Sequence, residues 1–180
     1  MMFLSRMFPR RAAKRDAATR LFEQLNGQSR QTELFAEGLV GDTFEGRFEA
    51  VTLHAAIIMR RLKQAGAPGA RLAHKLFEKL FSSFDYAHRE AGVGDLIVGK
   101  KMRKLAEAFY GRTSAYESAF DQNFDVSDVI SRNLIPESTE EDVLKMAAYA
   151  SAVAEALDAQ SDEALLSGEL SWPKASKFFS

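Results

Sequence analysis

Apolar residues recur along this chain at intervals of three and four, the repeat of one face of an α-helix, and not in the alternation of a strand. The clearest run is Phe44, Phe48, Val51, Ala55, Ile58 and Leu62, spaced 4, 3, 4, 3 and 4. Upstream, Ala17, Leu21 and Leu25, with Phe22 beside them, predict a helix from Arg11 to about Gln28. Downstream, Leu72, Leu76, Phe77, Leu80, Phe81 and Phe84 predict one from about Ala70 to Ala91, and its phenylalanines mark it as a core helix. Met102, Leu105, Phe109 and Tyr116 extend a third to about Phe120, and a weaker segment over Val126 to Leu134 stops at Pro136. Val143, Ala147, Ala150, Ala154 and Leu157 line a last long helix, about Thr139 to Gln160, whose small residues imply close packing. No hairpin-bounded alternation and no internal repeat is evident. The fold class is therefore all-α, a single-domain helical bundle of about five to six helices.

Local punctuation sets the expected helix ends. Asp42 with Glu45 fits a capping box in its acidic variant, Ser138 with Glu141 fits another, and the cluster Gly66 to Gly69 closes the helix that contains His54. Gly46 stands one turn inside that helix, where glycine costs about 0.5 to 1 kcal/mol relative to alanine, so close approach of another backbone is expected there. Gly92, Gly94 and Gly99 break the pattern between two helices. They miss the Gly-x-Gly-x-x-Gly spacing and follow a helix instead of a strand, so they read as a sharp turn in which Asp95 caps or anchors the next helix.

Composition narrows the chemistry. The 180 residues are 46% hydrophobic and 27% charged, enough apolar material for one packed soluble domain. Without cysteine there is no disulfide, thiolate nucleophile or cysteine metal site. The histidines His54, His74 and His88 form no ligand pair, and no nucleophile stands at a spacing that would make His54 half of a catalytic pair. No catalytic residue, metal or cofactor is assigned. No apolar stretch reaches membrane-spanning length.

A net charge of −1 conceals an asymmetry that does change the picture. Residues 1–20 carry Arg6, Arg10, Arg11, Lys14, Arg15 and Arg20 against Asp16, whereas 137–169 carry nine acids against Lys145. The basic start lacks the apolar run of a secretory signal; it reads as an organelle presequence, an arm for anionic lipid or RNA, or a frayed terminus. Lys100, Lys101, Arg103 and Lys104 fall in the first turns of a helix, where cations oppose the macrodipole. Either an anionic partner or carboxylates such as Asp85, Glu90 and Asp42 must answer them. Arg47, His54 and Arg61 recur every seven residues beside the apolar seam, as a partner-binding edge or an internal ion-pair network.

Several segments taken together resemble the ubiquinol-cytochrome c chaperone family of respiratory assembly factors. They are Gly41-Asp42-Thr43-Phe44-Glu45-Gly46-Arg47-Phe48-Glu49, Leu53-His54 with Arg60-Arg61-Leu62-Lys63, Arg89 through Met102, and Ala108-Phe109-Tyr110-Gly111-Arg112 with Ala115-Tyr116. The likeness runs from about Leu21 to Phe120, with Ala91, His88 and Gly41 departing from the family's usual residues. It implies an all-α, non-catalytic chaperone without cofactor that holds newly made cytochrome b, or another respiratory membrane subunit, for assembly into ubiquinol-cytochrome c reductase. It also implies work beside the ribosome, with a second assembly factor, at the cytoplasmic face of the inner membrane, or in the mitochondrial matrix if eukaryotic. The expected organisation is a basic arm and helix start over 1–20, family core helices over 21–120 and an acidic, alanine-rich helical segment packed on that core over 121–180. Candidate client or partner contacts are Asp42, Arg47, Phe48, His54, Arg61, Arg89, Glu90, Val93, Asp95, Leu96, Ile97, Tyr110, Arg112 and Tyr116. Candidate anion or ribosome contacts are Arg10, Arg11, Lys14, Arg15, Lys100, Lys101, Arg103 and Lys104. A ribosome- or RNA-binding module, or an adaptor for anionic membrane surface, that grips no client is the competing reading.

Overall fold

One helix, α3 (Phe44–Gln64), forms the axis because its small and apolar residues are not confined to a single face. Every residue from Phe48 to Ile58 is buried, with Ala50, Leu53, Ala56 and Ile57 joining the line visible in the sequence. A helix apolar on most sides must be covered on most sides. Helix α1 (Ala17–Gln28), α4 (Gly66–Glu90), α5 (Asp95–Asp121) and α7 (Glu140–Asp158) pack around it. The remaining helices are α2 (Thr32–Phe35), α6 (Val126–Asn133), which packs on α5 and α7, and α8 (Asp162–Ser167); a 3₁₀ turn at Ala175–Lys177 follows. This computed structural model describes residues 16–36, 39–122 and 125–179, and among them there are eight α-helices and no strand. The all-α class therefore holds, with α2 and α8 added. At four and six residues they are too short to display a helical repeat.

Two expected caps shift by one residue. The cap of α3 is Thr43, whose hydroxyl accepts the Gly46 amide at 3.1 Å, because the Asp42 carboxylate is taken by Arg47 at 2.6 Å. The capping box of α7 pairs Thr139 with Asp142, not Ser138 with Glu141. Gly46 is where the expected close approach occurs: a Cβ there would lie 2.0 Å from the Gly41 carbonyl oxygen. The cluster from Gly66 to Gly69 does more than end α3. Gly66 turns at φ 69° and α4 starts at once, with Pro68 in its first turn, where no intrahelical N–H is required.

The glycine break after α4 is also shorter than expected. Helix α5 begins at Asp95 behind an extended Gly94, so Leu96, Ile97 and Gly99 are helical, not loop. Fully buried Val98 anchors this first turn inward and offsets the cost of Gly99 within the helix. At the other end of the chain, residues 169–179 run back across α1. Gln24 bridges the Gly168 carbonyl (2.6 Å) and the Leu170 amide (3.1 Å), and Gln28 donates to the Pro173 carbonyl at 3.1 Å.

Candidate functional site

Where α3 begins, α4 ends and α5 passes between them, the bundle opens into a groove of about 550 Å³. Its apolar lining comes from all three helices: Phe44 and Phe48 of α3, Ala87 of α4, and Leu105 and Ala108 of α5, with Ala91 and Val93 from the connecting turn. Phe44 is 40% exposed, which is high for a phenylalanine. Its ring lies edge-on to His88 (centroids 4.8 Å) and to Phe84 (6.4 Å). His88, itself buried, is oriented by a 2.9 Å contact of Nδ1 with the Phe84 carbonyl oxygen.

Charge lies along this apolar surface. Arg112 donates from Nε to the Glu49 carboxylate at 2.5 Å, and its guanidinium sits 6.0 Å from the Phe48 ring centroid. Glu49 is 7% exposed, and burial pushes its carboxyl above the usual range although Arg112 pulls it down. Tyr116 is wholly buried, and its hydroxyl has no hydrogen-bond partner among the described residues. Burial, with a smaller contribution from the Glu49 charge, raises the Tyr116 phenol. Glu45, Lys101 and Lys104 complete the lining. The arrangement offers aromatic surface for an apolar segment and charges for a polar one, without a base and nucleophile placed as a reacting pair.

The sequence candidates at the surface divide among five places. Phe48, Val93, Arg112, Lys101 and Lys104 come together in the groove. Leu96 and Ile97 project at the start of α5, 95% and 56% exposed, followed by exposed Lys100 and Arg103. Arg89 holds Asp85 (2.7 Å) and Asp95 together, fixing the α4–α5 turn, and Glu90 is exposed beside it. Asp42 and Arg47 form an exposed pair at the start of α3, and Arg47 holds the Asp42 carboxyl below the usual range. Tyr110 is exposed and stacked on Phe77 (centroids 5.3 Å) in a smaller depression elsewhere on α5. Arg10, Arg11, Lys14 and Arg15 lie outside the described residues.

His54, Arg61 and Tyr116, in contrast, lie inside the bundle and not at its surface. His54 contacts the Ala50 carbonyl oxygen through Nδ1 and the Tyr149 hydroxyl through Nε2, each at 2.7 Å, while Gln28 donates to that hydroxyl at 2.9 Å. Burial lowers the His54 imidazole to about 4 and pushes the Tyr149 phenol up to about 12. Arg61 donates to the Leu157 and Gln160 carbonyls (3.2 and 2.8 Å) and to Asp162 (2.7 Å), closing the end of α7. The stripe of Arg47, His54 and Arg61 is thus neither one edge nor one network.

Phe44, Glu49, His88, Leu105 and Ala108 line the groove with little in the sequence to mark them as site residues. Phe44 and Leu105 look like ordinary core positions in a repeat, and Glu49 carries one faint signal, a carboxylate adjoining an apolar seam.

A family described as Ubiquinol-cytochrome C chaperone matches residues 37–172. The chain belongs to this family. The crystal structure of the Cbp3 homolog from Brucella abortus superposes with a TM-score of 0.79 at 32% identity, covering 89% of this chain and 91% of that one. A comparison with curated proteins finds no match. The family match reaches Trp172, past the Phe120 limit of the sequence resemblance, so α6, α7 and α8 belong to the chaperone family fold. Their alanine-rich, acidic composition conceals this, because it resembles that of many solvated helices.

Proposed function

We propose that this chain is a non-catalytic assembly chaperone of ubiquinol-cytochrome c reductase and that it holds newly made cytochrome b, or another respiratory membrane subunit, in the groove between α3, α4 and α5. The observation that carries this reading is the half-exposed Phe44 beside Phe48 in an open groove lined from three helices. A nascent membrane protein presents apolar helix surface, and burying it is favourable and tolerant of salt. Glu45 and the nearby pair Asp42–Arg47 offer polar contacts to its flanks. No helix among the described residues is long and apolar enough to cross a membrane, and the proposed place of work is the periphery of the inner membrane.

The test is a photo-crosslinking residue at Phe44 or Val93, with an exposed control at Glu141, in membranes synthesising respiratory subunits. Cytochrome b crosslinked from the groove and not from the control supports the proposal. A working assay with no groove product removes it.

Lys100, Lys101, Arg103 and Lys104 favour the second reading, an RNA- or ribosome-binding adaptor, because none meets a carboxylate within 4.0 Å among the described residues. Binding by phosphate neutralisation would weaken steeply with salt, and binding by apolar burial would not.

A further inference from the structure

The first three turns of α5 combine two features that are each unfavourable in water. Leu96 is 95% and Ile97 56% exposed, although Val98 in the same turn is completely buried. Directly behind them stand exposed Lys100, Lys101, Arg103 and Lys104, cations near the positive end of the helix dipole. At about 100° per residue, Leu96, Lys100 and Arg103 share the outward arc, while Ile97, Lys101 and Lys104 follow along its groove side. The acids nearby do not quench this patch. Asp95 and Asp85 are both engaged by Arg89, leaving Glu90 before it, Glu107 after it and Glu45 in the groove beside Lys101 and Lys104, none within 4.0 Å of these cations among the described residues.

We propose that this tip docks the protein on an anionic lipid bilayer, with Leu96 and Ile97 entering the acyl boundary and the four cations lying at phosphate level. Charge complementarity and apolar exposure together select this occupant. RNA would satisfy the cations but leave Leu96 and Ile97 in water, and residues 95–104 carry no aromatic ring for a base to stack on, Phe44 lying in the groove beside Lys101 and Lys104. A membrane-protein loop from the cytoplasmic side is rich in Lys and Arg and would be repelled. An anionic bilayer answers both features at once. Because Lys101 and Lys104 also line the groove, docking would bring the groove beside the membrane. The proposal does not depend on what the groove holds.

The test uses the full chain and vesicles of phosphatidylcholine with or without phosphatidylglycerol. Since the chain has no cysteine, Leu96→Cys provides a unique position for an environment-sensitive fluorophore. Its emission is expected to shift to the blue with the anionic vesicles and not with the neutral ones. Leu96→Ser with Ile97→Ser is expected to reduce vesicle partitioning about tenfold. Lys100→Gln with Lys104→Gln should do the same, again about tenfold. Unchanged thermal unfolding of these exposed variants would show that the fold is intact. An unshifted probe, or undiminished binding in the Leu96/Ile97 variant, would overturn the proposal and leave the contact to the basic N-terminal arm. So would retention of poly(U) RNA through Lys100 and Lys104 without vesicle binding. None of these readouts involves cytochrome b, so failure here is separate from failure of the chaperone reading.

Discussion

The two ends of α3 solve the same problem in opposite ways. At its C-terminal end every cation is answered from another helix: Arg60 meets Asp121 (2.5 Å) and Asp158 (3.0 Å), Arg61 meets Asp162 and two carbonyls, and Lys63 meets Glu117 (2.5 Å). At its N-terminal end Phe44 is only partly covered, the single buried carboxylate Glu49 needs Arg112, and Lys101 and Lys104 are left without acids. The closed end pairs its cations with carboxylates, two of which, Asp158 and Asp162, come from the acidic C-terminal segment; that segment's other acids stay largely exposed. The open end keeps apolar and charged groups in reserve, as a surface made for another molecule must. One helix thus serves as structural axis and as part of a docking groove, according to what packs on each end.

The sharpest way to break this contrast is at the closed end. Arg61→Met should cost about 3 kcal/mol in urea unfolding, because it strands two carbonyls at the end of α7 and removes the tie to Asp162. A loss under about 1 kcal/mol would mean that the end is not locked by this residue.

His54 gives a pH dependence of similar size. Its folded-state value of about 4 lies below the ordinary 6.5, so the unfolded chain binds the extra proton first as the solution is acidified. Stability contributed by neutral His54 is complete above pH about 6.5 and is lost as pH falls toward about 4, by roughly 3 kcal/mol in all. Urea titrations over this range should show that slope in the native chain and a flatter one in His54→Gln.

Glu49, belonging to the open end, has the opposite sign. Its folded value is raised, so its contribution is present at low pH and declines as pH rises through that value. Arg112→Ala should therefore cost about 2 kcal/mol at neutral pH, discounted for the partial exposure of Arg112, and less at pH 5. Adding Glu49→Gln should restore part of the loss; an additive pair of effects would show that the two do not act as a unit.

The smallest expected change is the most telling about function. Phe44→Ser should alter stability by only about 0.5 to 1 kcal/mol, since the ring is already partly in water. Crosslinking of cytochrome b from Val93 should nevertheless fall clearly. If stability collapses instead, Phe44 is a core residue and the groove loses its distinguishing feature.

How much was legible depends on the range of the interaction concerned. Gly46 could be read as a close approach because a glycine inside a strong helical repeat has few other reasons, and Gly41 supplies the approaching backbone. The helix caps lie one residue from where the sequence predicts them because Asp42, Thr43, Ser138 and Thr139 are all competent caps, and only the Asp42–Arg47 pair and the local backbone choose between them. His54 and Arg61 were readable as polar residues beside the seam, but their partners Tyr149 and Asp162 lie about a hundred positions away in sequence.

The sequence by itself determined the longer helices and the family, since apolar period, glycine punctuation and the ordered motif residues are local and survive without coordinates. Only the tertiary structure decided which of those apolar and charged residues are spent and which are free. Phe44 and Leu76 are equivalent in a helical repeat, yet one faces a groove and the other is sealed. Exposure is set by which helices converge on a position, and that is a property of the whole packed chain.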